Sequence, residues 1–380
     1  MLVIKHAKVF TATSDEFIDD CDILIDDGKI KEIGRNISVD NREVLDASGL
    51  VVLPGLVDAH SHVGGFGVSR TSPDLNEMTS PSTPSVEAIY GVDTDSVDFQ
   101  RVIEAGITTS IITPGSGNVI CGTAFAVKSV GENISDMCIK NPVAMKAALG
   151  GNPKGVYGKK NQLPMTRMGV ADVIRKTLVD GQKYLDKKEK NSEDFKFDMG
   201  MENISKVLKK EIPLKVHCEQ IDMLTVISIA KEFDIQFTLE HAWGASNYIE
   251  EISNSGVKGI NFGPIGIHMT PGECGIVDIE SVCELTKNGV VCSLITDGPL
   301  FTPFGLVLQA GELVRFGMKV TQALKTITIN PAIICDISDR VGSIEIGKDA
   351  DLAIFSHIPA LETSANLLYT VIDGKIIYKW

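Results

Sequence analysis

The sequence predicts an α/β protein: an eight-stranded (β/α)8 TIM-like barrel plus a small β-sandwich built from both ends of the chain. Three observations predict it. Asp-Gly pairs between β-rich runs recur near both termini, eight near-continuous apolar runs fill the middle, and four histidines and an aspartate stand at the ends of those runs.

The terminal module comes first. "ILIDDGKIKEIG" (23–34) and "TVIDGKIIYKW" (370–380) each place Asp-Gly between strand-forming runs. A two-residue type I′ turn needs positive φ at both central residues, which Asp-Gly tolerates, so each stretch predicts a hairpin. "ADLAIFS" adds a further strand before the last hairpin. Residues 1–53 with 340–380 are therefore expected to form one composite β-sandwich domain, and 54–339 the barrel domain.

The middle repeats one layout: a polar helix end, a Gly, a β-branched run and a Gly/Pro-rich turn. "EAGITTSIITPGSG", "SNSGVKGINFGP" and "KNGVVCSLITDGP" all follow it, and "KEFDIQFTLEHAWG" does so with Asp234 in the Gly position. Glycine suits a helix C-terminus because it adopts the left-handed conformation without a Cβ penalty. Unbroken apolar runs, as opposed to alternating ones, suit strands buried on both faces of a parallel sheet. Eight such strands are expected at 56–62, 107–113, 123–130, 143–149, 214–219, 236–243, 257–263 and 290–297, enough to close a barrel. An open doubly wound sheet is the alternative; no G-x-G-x-x-G follows an early strand. Residues 63–92 and 150–165 predict long loops on the catalytic face, and 166–210 turns helical with a solvated charge run.

Composition narrows the function class. The 380 residues are 43% hydrophobic and carry a net charge of −14, which speaks against nucleic acid or an anionic membrane as partner. There is no run of about 18 apolar residues to span a bilayer and no secretion signal. Eight cysteines without a C-x-x-C pair fit reduced thiols, hence a cytoplasmic protein. A small-molecule substrate and a homo-oligomer are expected.

Residues i and i+2 of a strand share a face, so His60 and His62 in "LPGLVDAHSHVGGFG" can approach one ion. A lone H-x-H is weak, but His217 in "LKVHCE", His241 in "TLEHAW" and Asp297 in "SLITDGP" also end predicted strands. In a barrel all five converge on one rim. Imidazoles with a carboxylate suit Zn²⁺ or a similar divalent cation. His6, His268 and His357 receive no role.

"VVLPGLVDAHSH" resembles the first-strand signature of the amidohydrolase superfamily of metal-dependent hydrolases. "INPAIICDISDRVGSIEIGKDADLAIF" with "VIDGKIIY" is similar to the end of imidazolonepropionase-like members. The resemblance implies a barrel, a terminal β-module and hydrolysis of C–N bonds (amide, cyclic amide or peptide-like) by metal-activated water. It implies His60, His62, His217, His241 and Asp297 as metal ligands, one or two ions, most often zinc. Asp297 would also shuttle the proton, and His241 or the metal would polarise the scissile carbonyl. In binuclear members a fourth-strand lysine, carboxylated by CO₂, bridges two ions. Lys146 in "PVAMKAALGG" matches that place, with Lys128 in "FAVKSV" a weaker competitor. A fourth strand shifted in register, with Lys146 pointing outward, is the alternative.

Two departures bear on the substrate. Gly298 follows the eighth-strand aspartate where several members have His. Position 220 is Gln where deaminases have Glu, and Glu219 is the nearest acid. These weigh against, without removing, the alternative of a heterocycle deaminase; a third alternative is a non-catalytic scaffold. Glu219, Arg70 and Arg167 are candidate substrate contacts, the arginines for a substrate carboxylate. The glycines of "TPGSGNVICG" could form an anion nest or a plain tight turn.

Overall fold

The computed structural model describes residues 1–40, 42–66, 73–266 and 276–380. The chain opens with β1 (Leu2–Phe10), β2 (Phe17–Asp26), β3 (Lys29–Gly34), β4 (Glu43–Asp46) and β5 (Val51–Pro54). The barrel-like sheet follows as β6 (Leu56–Ser61), β7 (Ile107–Ile112), β8 (Ile120–Lys128), β9 (Cys138–Ala148), β10 (Leu214–Cys218), β11 (Phe237–His241), β12 (Gly259–Phe262) and β13 (Cys292–Leu294). The chain ends with β14 (Leu352–Phe355), β15 (Leu367–Ile372) and β16 (Lys375–Lys379).

Both Asp-Gly hairpins form. Asp27 and Gly28 have φ of 51° and 71°, Asp373 and Gly374 of 47° and 72°, the double positive φ of a type I′ turn. They join β2 to β3 and β15 to β16, antiparallel in each case. The two termini share one hydrogen-bonded sheet, in the order β16-β15-β14-β5-β1-β2-β3, with β4 against β1. The expected sandwich is thus described by its hydrogen bonds as a single mixed sheet. Its apolar core, including Ile4, Val9, Ile23, Val52, Leu352 and Ile354, is distinct from the main core under the barrel.

The chain passes from sheet to barrel through one residue. Gly55 separates β5 from β6, and its amide donates to Asp351 O at 2.7 Å. A Cβ at this position would lie 2.1 Å from Thr108 Oγ1. Only glycine lets the strand cross so close to β7, which explains "LPGLVD".

Each of the eight expected barrel strands overlaps an observed one, and they run in order from β6 to β13. A bridge between Ser61 and Gly298 closes the ring. One feature corrects the expectation: β8 runs antiparallel to both β7 and β9, so the barrel is not uniformly parallel. The reason lies in chain length. Parallel neighbours need a crossover of about a dozen residues or more, usually a helix. Between β7 and β8 lie only residues 113–119, and between β8 and β9 only 129–137 with one short helical turn, Ile134–Met137.

The reversal places the ends of β8. Its start, with segment 113–119, lies at the rim where β6 ends. Its finish, Lys128, lies at the opposite end, against the terminal sheet. There the Lys128 ammonium meets Asp349 Oδ2 (2.8 Å), Asp351 Oδ2 (2.8 Å) and Asp373 Oδ1 (2.7 Å). The rim connections also differ from expectation. Segment 150–165 contains a helix, Gly151–Gly158, where a loop was expected, and 166–210 forms two helices, Arg167–Glu189 and Met199–Leu208. The charge run at the end of the longer helix is exposed apart from buried Tyr184 and half-buried Leu185, Ser192 and Phe195. Asp234 caps its helix with φ 51°, in place of the usual glycine.

Candidate metal centre

His60 and His62 leave the end of β6 on the barrel axis, both buried. His60 Nδ1 lies 2.8 Å from Glu240 Oε2. Glu240 also meets Lys215 Nζ at 2.6 Å and accepts from Thr238 Oγ1 (2.6 Å) and Asn261 Nδ2 (2.7 Å). A carboxylate surrounded by donors accepts, so the His60 proton sits on Nδ1 and Nε2 bears a lone pair. His62 Nδ1 donates to Thr113 O at 2.8 Å, and its ring stacks on Phe66 with centroids 4.2 Å apart. His241 Nδ1 donates to Gly263 O, also at 2.8 Å. Three imidazoles therefore spend their Nδ1 proton on protein oxygens and turn Nε2 lone pairs inward.

Asp297 is where they point. His62 Nε2 lies 3.1 Å and His60 Nε2 3.6 Å from Asp297 Oδ1. Among the described residues, neither His60 Nε2 nor Asp297 Oδ1 has a hydrogen-bond partner, although both are buried. Such groups cost about 1–3 kcal/mol each when left unsatisfied. Here two acceptors face each other with no proton between them, an arrangement that a cation relieves. One ligand atom from each of His60, His241 and Asp297 fits within 4.8 Å of the others, a spacing that could hold a metal ion. The donor set, imidazole nitrogen with one carboxylate, suits zinc.

The electrostatics agree. Burial pushes the His60 imidazole well below its ordinary value, and the Lys146 charge adds to it. His241 is lowered to about 3, by burial first and His217 second. Both stay neutral near pH 7, as ligands must. Burial pushes the Asp297 carboxyl up, but contact with His62 and the fields of His241 and Lys146 outweigh that and hold it at about 2.

Two strand ends carry left-handed residues. His241 has φ 66° and Asp297 φ 54°. Strand alternation would send Glu240 and His241 to opposite faces; the turned backbone at His241 lets both reach the site. His217 on β10 has its ring 4.3 Å from that of His241. Its Nε2 meets Glu219 Oε1 at 3.2 Å and Asn152 Nδ2 at 3.4 Å, while Nδ1 is buried with no hydrogen-bond partner among the described residues.

Lys146 is fully buried in β9, directly beside Lys215 of β10. The outward-facing alternative for Lys146 fails: its ammonium donates to Ser116 Oγ at 2.8 Å, in the rim segment between β7 and β8. Burial lowers its pKa. Lys128, bound at the far end of the barrel, is removed from the competition. Gly115 and Gly117 form a turn docked on the preceding loop, not an open nest, with Gly115 N donating to Leu75 O and Gly117 N to Asn76 Oδ1, while Gly122 lies within β8.

Of the expected substrate contacts, Glu219 is buried against His217. Arg167 Nε donates to Asp222 Oδ1 at 2.9 Å. Arg70 lies outside the described residues. A cavity of about 200 Å³ opens over the cluster, lined by His62, Phe66, Asn76, Ser116, His217 and Asp297 among others. Sequence reasoning missed Glu240 and Lys215. The signal was there: both are charges inside apolar strands, the same oddity that marked Lys146.

This arrangement agrees with three comparisons. Residues 51–377 match the family described as Amidohydrolase family. The chain belongs to the amidohydrolase family. A crystal structure of an amidohydrolase from Thermotoga maritima MSB8 is 35% identical over the full length of both chains, with a TM-score of 0.94. Amidohydrolase tasK of Hapsidospora irregularis is 24% identical over 93% of this chain, which spans 39% of that protein's length. Imidazolonepropionase of Clostridium tetani is 24% identical, covering 95% of this chain and 91% of its own. The chain is thus an enzyme acting on C–N bonds, as the first-strand signature implied.

Proposed function

We propose that the protein is a metal-dependent hydrolase that opens a cyclic amide or cleaves a peptide-like C–N bond in a small molecule. The observation that supports this reading is the inward convergence of three Nε2 lone pairs on the buried Asp297 carboxylate. His60, His62, His241, His217 and Asp297 would hold one or two divalent ions, with zinc the best chemical match. Lys146, as a carbamate, would join them if two ions bind; its burial beside the cluster supports that assignment. When bound, such an ion supplies Lewis acidity and lowers the pKa of water from about 15.7 to about 7.

The chain's own groups do the rest. Asp297 takes the proton of the attacking water and returns it to the leaving nitrogen. His241, whose Nδ1 proton is held by Gly263 O, would serve as a ligand to the ion that polarises the scissile carbonyl. Asn152 and Glu219 fix the His217 ring. Arg167 and Arg70 remain candidates for a substrate carboxylate, as does Glu219 for a substrate donor. A cavity of about 200 Å³ suits a compact ring or a dipeptide-sized group.

We further propose that residues 1–53 with 340–380 form one domain and 54–339 the catalytic one. A cytoplasmic location fits the seven described cysteines, all of them free. No helix among the described residues is long and apolar enough to cross a membrane.

The test is a substrate panel of five- and six-membered cyclic amides, dipeptides and amino-heterocycles, assayed for ring opening, free amine and ammonia. Ring opening or amine release without ammonia is expected. Ammonia release from an amino-heterocycle would instead establish the deaminase reading, to which Gln220 is the obstacle.

A further inference from the structure

Beneath the metal centre lies a buried ion pair that the proposed chemistry does not use. Lys215 is 2% exposed and Glu240 fully buried. Both sit on the inner face, Lys215 two residues before His217 and Glu240 one residue before His241. Glu240 is the hub: its Oε2 accepts from His60 Nδ1 at 2.8 Å and forms an ion pair with Lys215 Nζ at 2.6 Å, and its Oε1 accepts from Thr238 and Asn261. Asn261 is fixed in turn by Ser293 Oγ, which donates to its Oδ1 at 2.5 Å. The network spans β10 to β13 and ends on a single ligand ring, that of His60.

A buried ion pair is a poor source of stability, because desolvation cancels much of the attraction. An apolar pair would fill this space at no greater cost. What the charged pair does that an apolar pair cannot is fix a proton. An imidazole can carry its proton on either nitrogen; only the Nδ1–H form offers Nε2 to a cation. Glu240 binds that form alone. Lys215, a donor that cannot accept, shares the same oxygen and prevents the carboxylate from turning away.

We propose that Glu240 is a positioning residue that sets the tautomer and orientation of His60, with Lys215 holding Glu240 in place. The inference rests on His60 being a metal ligand, but it makes a claim of its own about the metal-free protein. Hydrogen bonds of this kind behind a ligand typically change metal affinity by about 10- to 100-fold.

The experiment compares wild type with Glu240→Gln, Lys215→Met and the double variant Lys215→Met/Glu240→Leu. The double variant leaves no unpaired charge and so keeps the fold within reach. Zn²⁺ affinity is measured by competition with a chromophoric chelator, and the His60 tautomer by ¹⁵N NMR of the metal-free protein. The expected result is His60 protonated at Nδ1 in wild type. In the double variant, Nδ1 loses that exclusivity and affinity falls by about 10- to 100-fold. Glu240→Gln, which keeps an acceptor oxygen, should recover part of the loss, and Lys215→Met should lose less than the double variant. A double variant that binds zinc within about threefold of wild type, with His60 still protonated only at Nδ1, overturns the proposal. A merely structural pair would lower the melting temperature and leave both readouts in place. If wild type takes up no zinc, the metal reading fails, and the tautomer comparison alone decides whether Glu240 positions His60.

Discussion

The two ends of the barrel both bury charge, and they do so in opposite ways. At the far end, the Lys128 ammonium is surrounded by Asp349, Asp351 and Asp373, and Asp349 also meets Lys29 and Arg340. At the rim, lone pairs of His60, His62 and His241 face the Asp297 carboxylate, and among the described residues His60 Nε2, His217 Nδ1 and Asp297 Oδ1 have no hydrogen-bond partner. The first cluster brings its own cations and joins the barrel to the terminal sheet. The second gathers lone-pair acceptors around Asp297. Burial of charge alone therefore does not mark a site; convergence of buried acceptors does.

Substitutions at the two ends should separate these roles. Asp297→Asn should lower kcat by about 10²- to 10⁴-fold, the range for loss of a general acid–base, with an unchanged circular dichroism spectrum. Near-normal turnover would break the contrast at the rim. Lys128→Met should cost about 3–5 kcal/mol of stability by leaving buried carboxylates unpaired. Denaturant unfolding measures it, and the folded fraction should keep its normal metal content. A loss below about 1 kcal/mol would mean that this cluster is not the joint it looks to be.

Smaller effects sharpen the same comparison. Burial pushes Asp349 up, but Lys128 and Lys29 outweigh it and hold its carboxyl at about 2, below its ordinary 3.8. Its stabilising contribution is complete above about pH 4 and is lost as pH falls through about 2. Asp349→Asn should thus be less stable than wild type by about 1–2 kcal/mol at pH 7, and the gap should close near pH 2. A gap that persists into acid would refute the assignment. At the rim, Lys146→Ala should reduce bound metal toward one ion per chain; unchanged stoichiometry would dispose of the carbamate.

Much of this was legible in the chain. Asp-Gly pairs gave both hairpins because backbone conformation there is dictated by two residues. The eight strands were readable because apolar runs of that length have few other fates. The direction of β8 was not inferred, although the short connections 113–119 and 129–137 carried the information: neither has room for a crossover. The five residues at the rim stood out because histidine is rare and they ended strands. Glu240 stood out only as a charge inside an apolar strand; strict alternation turns it away from His241's face, and no local pattern announces the left-handed backbone of His241 that brings both to the site. The helix at 151–158 was obscured by its own composition, three glycines and a proline in eight residues.

A cation at the rim is what hydrolysis by this site requires, and metal analysis of the purified protein tests for it most directly. One or two divalent ions per chain are expected, removed by a strong chelator together with activity and restored by adding zinc. Fewer than about one ion per two chains, with turnover indifferent to chelation, would contradict that requirement.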